Sequence, residues 1–488
     1  MKRKIRHNRM ASITKIRKIF SSHHDYTNVH SEIFIICGAI LTNVLFSYFI
    51  LGYDPNSIIY YSDAISHLVI SREILDSLTP GLGQLGSVWP PITHLLLLPF
   101  VTNNFLFHSG LAGTVVSTMS TVVTAVLLFR IVRLQFDCAL AGILASCIYL
   151  INPSVMYMGV VPMMESPFMM FFILSVYYIH KWYHTYATND TDIWKQYRII
   201  IKSAFAISAA TLTGYDGWFL PFALVFILLA ILLTSRRKAV IYRIRAIIAA
   251  AIPYSFAGIF MWTIWNFLVQ KDPLYFATGP YSAKVQTSFM PFSNYLYLNP
   301  TGLLSIIFDV SKSMYGMPVL ILSVVGFSLY LYMYRGKKIL PFTFLLPIML
   351  IIPTLSDFAS ILLGYQEIFP DKNGGWSNGR YLVFMAPFFA FTSVSVVVFI
   401  AKRARREILT IPAIIFVIVL WGFTAGTQIF DIGKVVALHD ADSMIPFLRS
   451  DQVALNTGRD LKKLYTEGDI LLFVGTQHGQ EIMFESGI

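Results

Sequence analysis

Long apolar runs recur along the chain, separated by short loops that are polar and often basic. They fall at about residues 33–52, 110–129, 139–152, 166–180, 203–214, 217–234, 246–268, 316–333, 340–362, 381–400 and 408–426. A helix rising ~1.5 Å per residue needs about 20 apolar residues to cross ~30 Å of hydrocarbon, and most of these runs approach that length. The pattern predicts an all-α polytopic membrane protein with about 11 transmembrane helices. The run at 203–214 is short, and the one at 246–268 contains Pro253 and Gly258, which interrupt the periodicity.

The apolar stretch from Val88 to Val101 is of another kind. Between Pro91 and Pro99 it offers only a short uninterrupted run, and runs of about 10–14 residues lie at the interface or re-enter rather than span. Charge supplies an independent test. If the stretch does not cross, 26 of the 37 Lys and Arg fall on the side of the amino terminus; if it crosses, 18 do. Cytoplasmic loops carry the excess of Lys and Arg, so the first arrangement holds. Residues 1–31, with eight Lys and Arg, are then a basic cytoplasmic head, followed by a membrane domain over 32–426. The first apolar run is long for a signal peptide, and Gly52-Tyr53-Asp54 is no cleavage pattern. Residues 53–109 and 427–488 lie outside. The second contains the strand-like Ile470-Leu471-Leu472-Phe473-Val474, which predicts a small extracytoplasmic α/β appendage. It ends on Phe484-Glu485-Ser486-Gly487-Ile488 without a closing signal, as a shortened chain would.

Composition narrows the class. Of 488 residues, 56% are hydrophobic and 13% charged, about half the roughly 25% charge of soluble domains, and the mean hydropathy is +0.63. A water-soluble enzyme is excluded. The net charge of +11 comes in short clusters between apolar runs, which sets topology and does not call for nucleic acid. Cys37, Cys138 and Cys147 all sit in apolar stretches, so no disulfide is expected. No internal repeat, P-loop, zinc spacing or Rossmann glycine pattern is present, which leaves an ATP-driven pump without support.

The same topology puts 20 of 26 carboxylates outside, several at span ends. Asp63, Glu165, Asp216, Asp357 and Arg380 project from different helix ends on that side, and ionisable groups so near hydrocarbon cost roughly 2.5–3.5 kcal/mol each. Asp63 opens an amphipathic segment with apolar Ile65, Leu68, Val69, Leu75 and Leu78, ended by Thr79-Pro80-Gly81. It is either a candidate acid or, with Ser62, a helix cap. His67 at i+4 shares its face. Glu165, in Pro162-Met163-Met164-Glu165, interrupts an apolar neighbourhood where a span begins; it either serves chemistry or favours the helix dipole. Asp216, in Gly214-Tyr215-Asp216-Gly217, fits a tight turn. Arg380 stands alone at the outer mouth of the tenth span, where a guanidinium can clasp a phosphate or snorkel to headgroups. Lys284 is a second cation, in a loop whose Tyr275 and Tyr281 suit sugar or headgroup contact.

These residues resemble the GT-C superfamily of glycosyltransferases, the polyprenyl-phosphate-sugar-dependent enzymes that include protein O-mannosyltransferases and aminoarabinose transferases. The resemblance is carried by Asp63-Ala64-Ile65-Ser66-His67-Leu68-Val69-Ile70-Ser71-Arg72, Gln84-Leu85-Gly86-Ser87-Val88-Trp89-Pro90-Pro91-Ile92-Thr93-His94, Pro162-Met163-Met164-Glu165 and Gly379-Arg380-Tyr381-Leu382, and covers roughly residues 30–400. It implies a GT-C-like fold with juxtamembrane helices in a catalytic outer loop at 53–109. The implied partners are a polyprenyl- or dolichyl-phosphate sugar, a protein, lipid or glycan acceptor, and the bilayer. The implied catalytic residues are Asp63, as base, and Glu165. The candidate donor-phosphate ligands are Arg380 and Lys284, and the candidate substrate-binding residues are His67, Trp89, His94, Asp216 and Tyr281. The family often pairs two acids at the first site, where this chain has Ser62-Asp63-Ala64. No cofactor is certain, with a divalent cation the one left open. The implied reaction is inverting sugar transfer at the outer face of the plasma membrane. The competing reading is a transporter or flippase of a lipid-linked or small polar substrate, which would show broken helices in matching halves. A noncatalytic scaffold on the same fold is a third.

Overall fold

The structure, a computed structural model, describes residues 25–187, 192–234, 238–288, 296–335, 342–366, 368–370, 376–403, 409–429, 456–464 and 484. The basic head up to residue 24 and the strand-like 470–474 lie outside the described residues. The chain is helical nearly throughout: α1 (Asp25–Tyr53), α2 (Ser62–Glu73), α3 (Ile92–Val101), α4 (Asn104–His108), α5 (Leu111–Phe136), α6 (Ala139–Leu150), α7 (Pro153–Met158), α8 (Glu165–Ala187), α9 (Ile193–Thr211) and α10 (Phe219–Thr234). These are followed by α11 (Lys238–Gln270), α12 (Tyr275–Thr278), α13 (Ala283–Ser288), α14 (Pro300–Tyr315), α15 (Met317–Tyr334), α16 (Phe342–Met349), α17 (Ile352–Leu362), α18 (Ala386–Arg403) and α19 (Thr410–Ile429). Two antiparallel two-residue strands, Phe369–Pro370 and Trp376–Ser377, pair Phe369 with Ser377 and Pro370 with Trp376.

Seven helices among the described residues are long and apolar enough to cross a membrane: those ending at Tyr53, Phe136, Leu233, Gln270, Tyr334, Arg403 and Thr427. The expected span at 340–362 is broken in two, whereas the one at 139–152 is a single short helix, α6, that stops at Leu150. Pro153 is the first residue of α7, and Pro353 is the second of α17 after a break at Leu350 and Ile351, because proline lacks the amide that would continue a preceding helix. The expected span at 203–214 is longer than its apolar run. It begins at Ile193, and its first turns carry Lys195, Arg198 and Lys202, whose polarity hid them. The interruption expected at Pro253 and Gly258 is absent, since α11 runs 33 residues through both. Gly258 serves a close crossing instead: a Cβ there would lie 2.2 Å from Thr211 Oγ1 on α9.

The outer loop holds α2, a 3-10 turn at Leu82–Leu85, α3 and α4. At 10 residues α3 spans only ~15 Å, half the hydrocarbon thickness, and it packs on α2 and α5. Helix α2 stops at Glu73, short of the expected Thr79; Ile65, Leu68 and Val69 are buried, whereas Leu78 is 100% exposed. Phe484 packs against the rings of Phe107 and His108, with centroids 4.9 and 5.5 Å away.

Candidate active site

Helix α5 places the first acid by backbone contact. Its hydroxyls reach across to the segment before α8: Thr114 Oγ1 donates to Val160 O (2.7 Å), Ser117 Oγ to Val161 O (2.7 Å) and Thr118 Oγ1 to Gly159 O (3.3 Å). Gly113 lets the backbones touch, because a Cβ there would sit 2.0 Å from Pro162 Cβ. Ser166 Oγ donates to Met158 O at 2.8 Å. Glu165, 2% exposed, is thereby held at the start of α8.

Arg380 arrives from the far end of the chain. The strand at Trp376–Ser377 leads into Asn378, which takes a left-handed turn (φ 61°) that Asn tolerates better than most residues. The 3-10 turn Gly379–Met385 follows. Its guanidinium, 11% exposed, lies between two acids: Nη2 is 2.9 Å from Asp63 Oδ2, and Nε is 3.5 Å from Glu165 Oε1. The rings of Tyr61 and Tyr381 flank it, with centroids 5.3 and 5.6 Å from Cζ. Arg380, which stands alone in the sequence, is paired with both expected catalytic acids in space. Asp63 is 33% exposed, and the cap of α2 is Tyr61 without a side-chain hydrogen bond, so Asp63 faces the arginine rather than capping its helix.

Two more buried carboxyls adjoin this trio. Asp216, in the 3-10 turn Tyr215–Trp218, accepts from Gln366 Nε2 at 3.5 Å, and α17, which carries buried Asp357, packs on that turn. Both feel the charges of the cluster, Asp216 that of Arg380 and Asp357 that of Glu165. The turn expected of Asp216 is present, and it delivers the carboxyl to the site. Among the described residues, no three His, Cys, Asp or Glu side chains gather as a metal-binding group. The place between Asp63 and Glu165 is filled by the guanidinium of Arg380.

The imidazoles form a separate layer. His67 Nδ1 lies 2.9 Å from His94 Nε2, and the His67 ring is 4.7 Å from that of Trp89. Burial, reinforced by the Arg380 charge, pushes His67 down to about 3, and burial beside His67 holds His94 well below the usual imidazole range. Both are neutral donor–acceptor groups at physiological pH. Lys284 of α13 places Nζ 5.0 Å from the ring centroid of Tyr365, the neighbour of Gln366. Tyr281 is 61% exposed.

Sequence reasoning gave no role to Asp357, Gln366, Tyr61 or Tyr381. Asp357 carried a signal, as an acid within an apolar run; the others carried none. It also missed the anchors of the outer loop. Trp265 Nε1 donates to Gly86 O (2.9 Å), Trp262 Nε1 to Tyr215 Oη (3.0 Å), and Tyr215 Oη to Val88 O. Ile92 N donates to Leu212 O at 3.0 Å.

The polytopic helical frame is a GT-C-like fold. Among solved structures it is similar to the oligosaccharyltransferase of Archaeoglobus fulgidus in complex with Zn and sulfate, at 11% identity and TM-score 0.55, over 93% of this chain and 61% of that one. It matches the archaeal oligosaccharyltransferase AglB, in complex with an inhibitory peptide and a dolichol-phosphate, at 11% identity and TM-score 0.55, over 93% and 63%. A third match is ArnT from Cupriavidus metallidurans bound to undecaprenyl phosphate, at 14% identity and TM-score 0.53, over 91% and 84%. The chain thus spans about three fifths of the archaeal enzymes. No family model matches it, and no curated protein does.

Proposed function

We propose that this chain is a membrane glycosyltransferase that moves a sugar from a polyprenyl-phosphate donor to an acceptor hydroxyl on the extracytoplasmic side, with inversion. The observation that carries the reading is Arg380 held between Asp63 and Glu165 at one end of a bundle whose structural neighbours were solved with dolichol-phosphate and undecaprenyl phosphate.

In this mechanism the acceptor oxygen attacks the anomeric carbon while Asp63, the most exposed of these three groups, takes its proton. The bond from the anomeric carbon to the phosphate oxygen breaks, and its electron pair leaves with the lipid phosphate. Arg380, whose five N–H groups can hold carboxylates and a phosphate oxygen together, stabilises that developing charge. Glu165 Oε2 is buried without a hydrogen-bond partner, so a sugar or acceptor hydroxyl would satisfy it. Neutral His67 and His94, with Trp89, form the wall behind Asp63. Lys284 and Tyr281 reach the donor through the loop around α13, and Asp216 positions substrate through the Gln366 contact.

The test uses the purified full chain in nanodiscs with a panel of radiolabelled polyprenyl-phosphate hexoses and pentoses. Transfer that is lost in Asp63→Asn at normal expression and folding supports the reading. Unchanged transfer removes Asp63 from its role, and movement of the intact donor across vesicles without bond breakage would establish the transporter instead.

A further inference from the structure

A second site lies at the opposite ends of the helices that carry the acids. Lys181 sits near the end of α8, ~24 Å along its axis from Glu165 at ~1.5 Å per residue. Lys195, Arg198 and Lys202 occupy the start of α9, whose far end leads to Asp216, and Arg130 is near the end of α5. These five cations line one cavity of about 290 Å³ together with Tyr177, Tyr178 and Ile199, and no carboxylate among the described residues lines it. Arg130 is held from outside the cavity by Glu32 of α1, through Nε (2.8 Å) and Nη2 (2.7 Å). Lys181 Nζ donates to Tyr177 Oη at 3.3 Å, and the ammonium of Lys202 lies 5.9 Å from the Tyr178 ring centroid.

Basic residues that only set topology gain nothing by sharing a cavity, since like charges repel and each prefers its own water. Here three helices from separate parts of the sequence aim cations at one space, Lys181 from α8, Arg198 and Lys202 from α9 and Arg130 from α5. The cavity approaches the size of a small-ligand pocket. It lies at the ends of bilayer-spanning helices, on the side that the charge distribution predicts to be cytoplasmic, where the leaflet is rich in anionic lipid.

We propose that this cavity binds the phosphate headgroup of an anionic lipid of the cytoplasmic leaflet, with Arg198, Lys181 and Lys202 as phosphate ligands and the tyrosine hydroxyls as further donors. The site is distinct from the acid–arginine cluster and does not depend on the reading of that cluster.

The experiment is native mass spectrometry of the full chain in neutral detergent, titrated with phosphatidic acid, phosphatidylcholine or inorganic phosphate. Phosphatidic acid should bind at least about tenfold more tightly than phosphatidylcholine. With ~1 kcal/mol of attraction for each basic residue, the Lys181→Gln/Arg198→Gln/Lys202→Gln variant should lose on the order of 100-fold of that affinity. The single Arg198→Gln variant gives a smaller loss in the same direction and serves if the triple variant fails to fold. Arg243→Gln/Arg245→Gln, which removes charge from α11 outside the cavity, should leave binding unchanged. Equal binding of the two lipids, or equal losses in the cavity and control variants, overturns the proposal. Inorganic phosphate that binds as tightly as phosphatidic acid overturns the assignment to lipid.

Discussion

The two ends of α8 and α9 solve opposite electrostatic problems. At one end, Asp63 of α2 and Glu165 of α8 converge on a single guanidinium, with Asp216 and Asp357 buried beside them. At the other, five cations line an open cavity, and Glu32 pairs with one of them from outside. The difference teaches how to tell a site from a structural contact: the first end is held together by its own charges, whereas the second is held apart by them and is completed only by an anion.

The sharpest way to break this comparison is Asp63→Asn. Removing a general base costs about 10²–10⁴-fold in rate, so sugar transfer should fall by that much while the melting temperature stays within a few degrees. Arg380→Gln should damage stability as well, because breaking a buried pair costs about 3–5 kcal/mol when one charge is left uncompensated. Thermal unfolding in detergent checks this, and restoring the melting temperature by adding Glu165→Gln would sharpen the assignment. Gly113→Ala should cost about 1–3 kcal/mol, as overpacking does, and should lower transfer by displacing Glu165.

The imidazoles give a pH signature confined to the first end. His67 is ordinary in the unfolded chain, near 6.5, and is pushed down to about 3 when folded. The unfolded state therefore takes the proton first, so the stability contribution is present above about 6.5 and is lost as pH falls toward 3. His94 acts in the same direction. His67→Gln should flatten the slope of melting temperature against pH in that window, and an unchanged slope would remove His67 as its source. The smallest effect is expected at the basic end. Arg198→Gln relieves like-charge repulsion and should raise stability in neutral detergent by a few tenths of a kcal/mol, with transfer unchanged within twofold.

Much of the fold was legible because hydrocarbon thickness is a strict ruler. Apolar runs marked the spans, and the charge count kept Val88 to Val101 from crossing, as α3 bears out by its length. Breaks were less legible. Pro253 and Pro353 look alike in sequence, yet only the second ends a helix, because the packing of α11 on α9 through Gly258 favours the continuous form. In the site, the isolated acids and Arg380 stood out against their apolar surroundings. What no local pattern revealed was which groups meet: Asp63 and Arg380 are 317 positions apart. The hydroxyl ladder of α5 acts through backbone contacts that leave no trace in composition, and Gln366 through a side-chain contact with Asp216 from 150 positions away.

The anchoring of the outer loop bears on how a donor would enter. Tyr215 joins Val88 through its hydroxyl and precedes Asp216 directly, while Trp262 and Trp265 fasten the same assembly to α11. Lifting the loop therefore tugs on the turn beside the carboxylate. If a lipid-linked donor enters past this loop, its admission and the adjustment of that acid become two aspects of one movement, with the indole pair as its pivot.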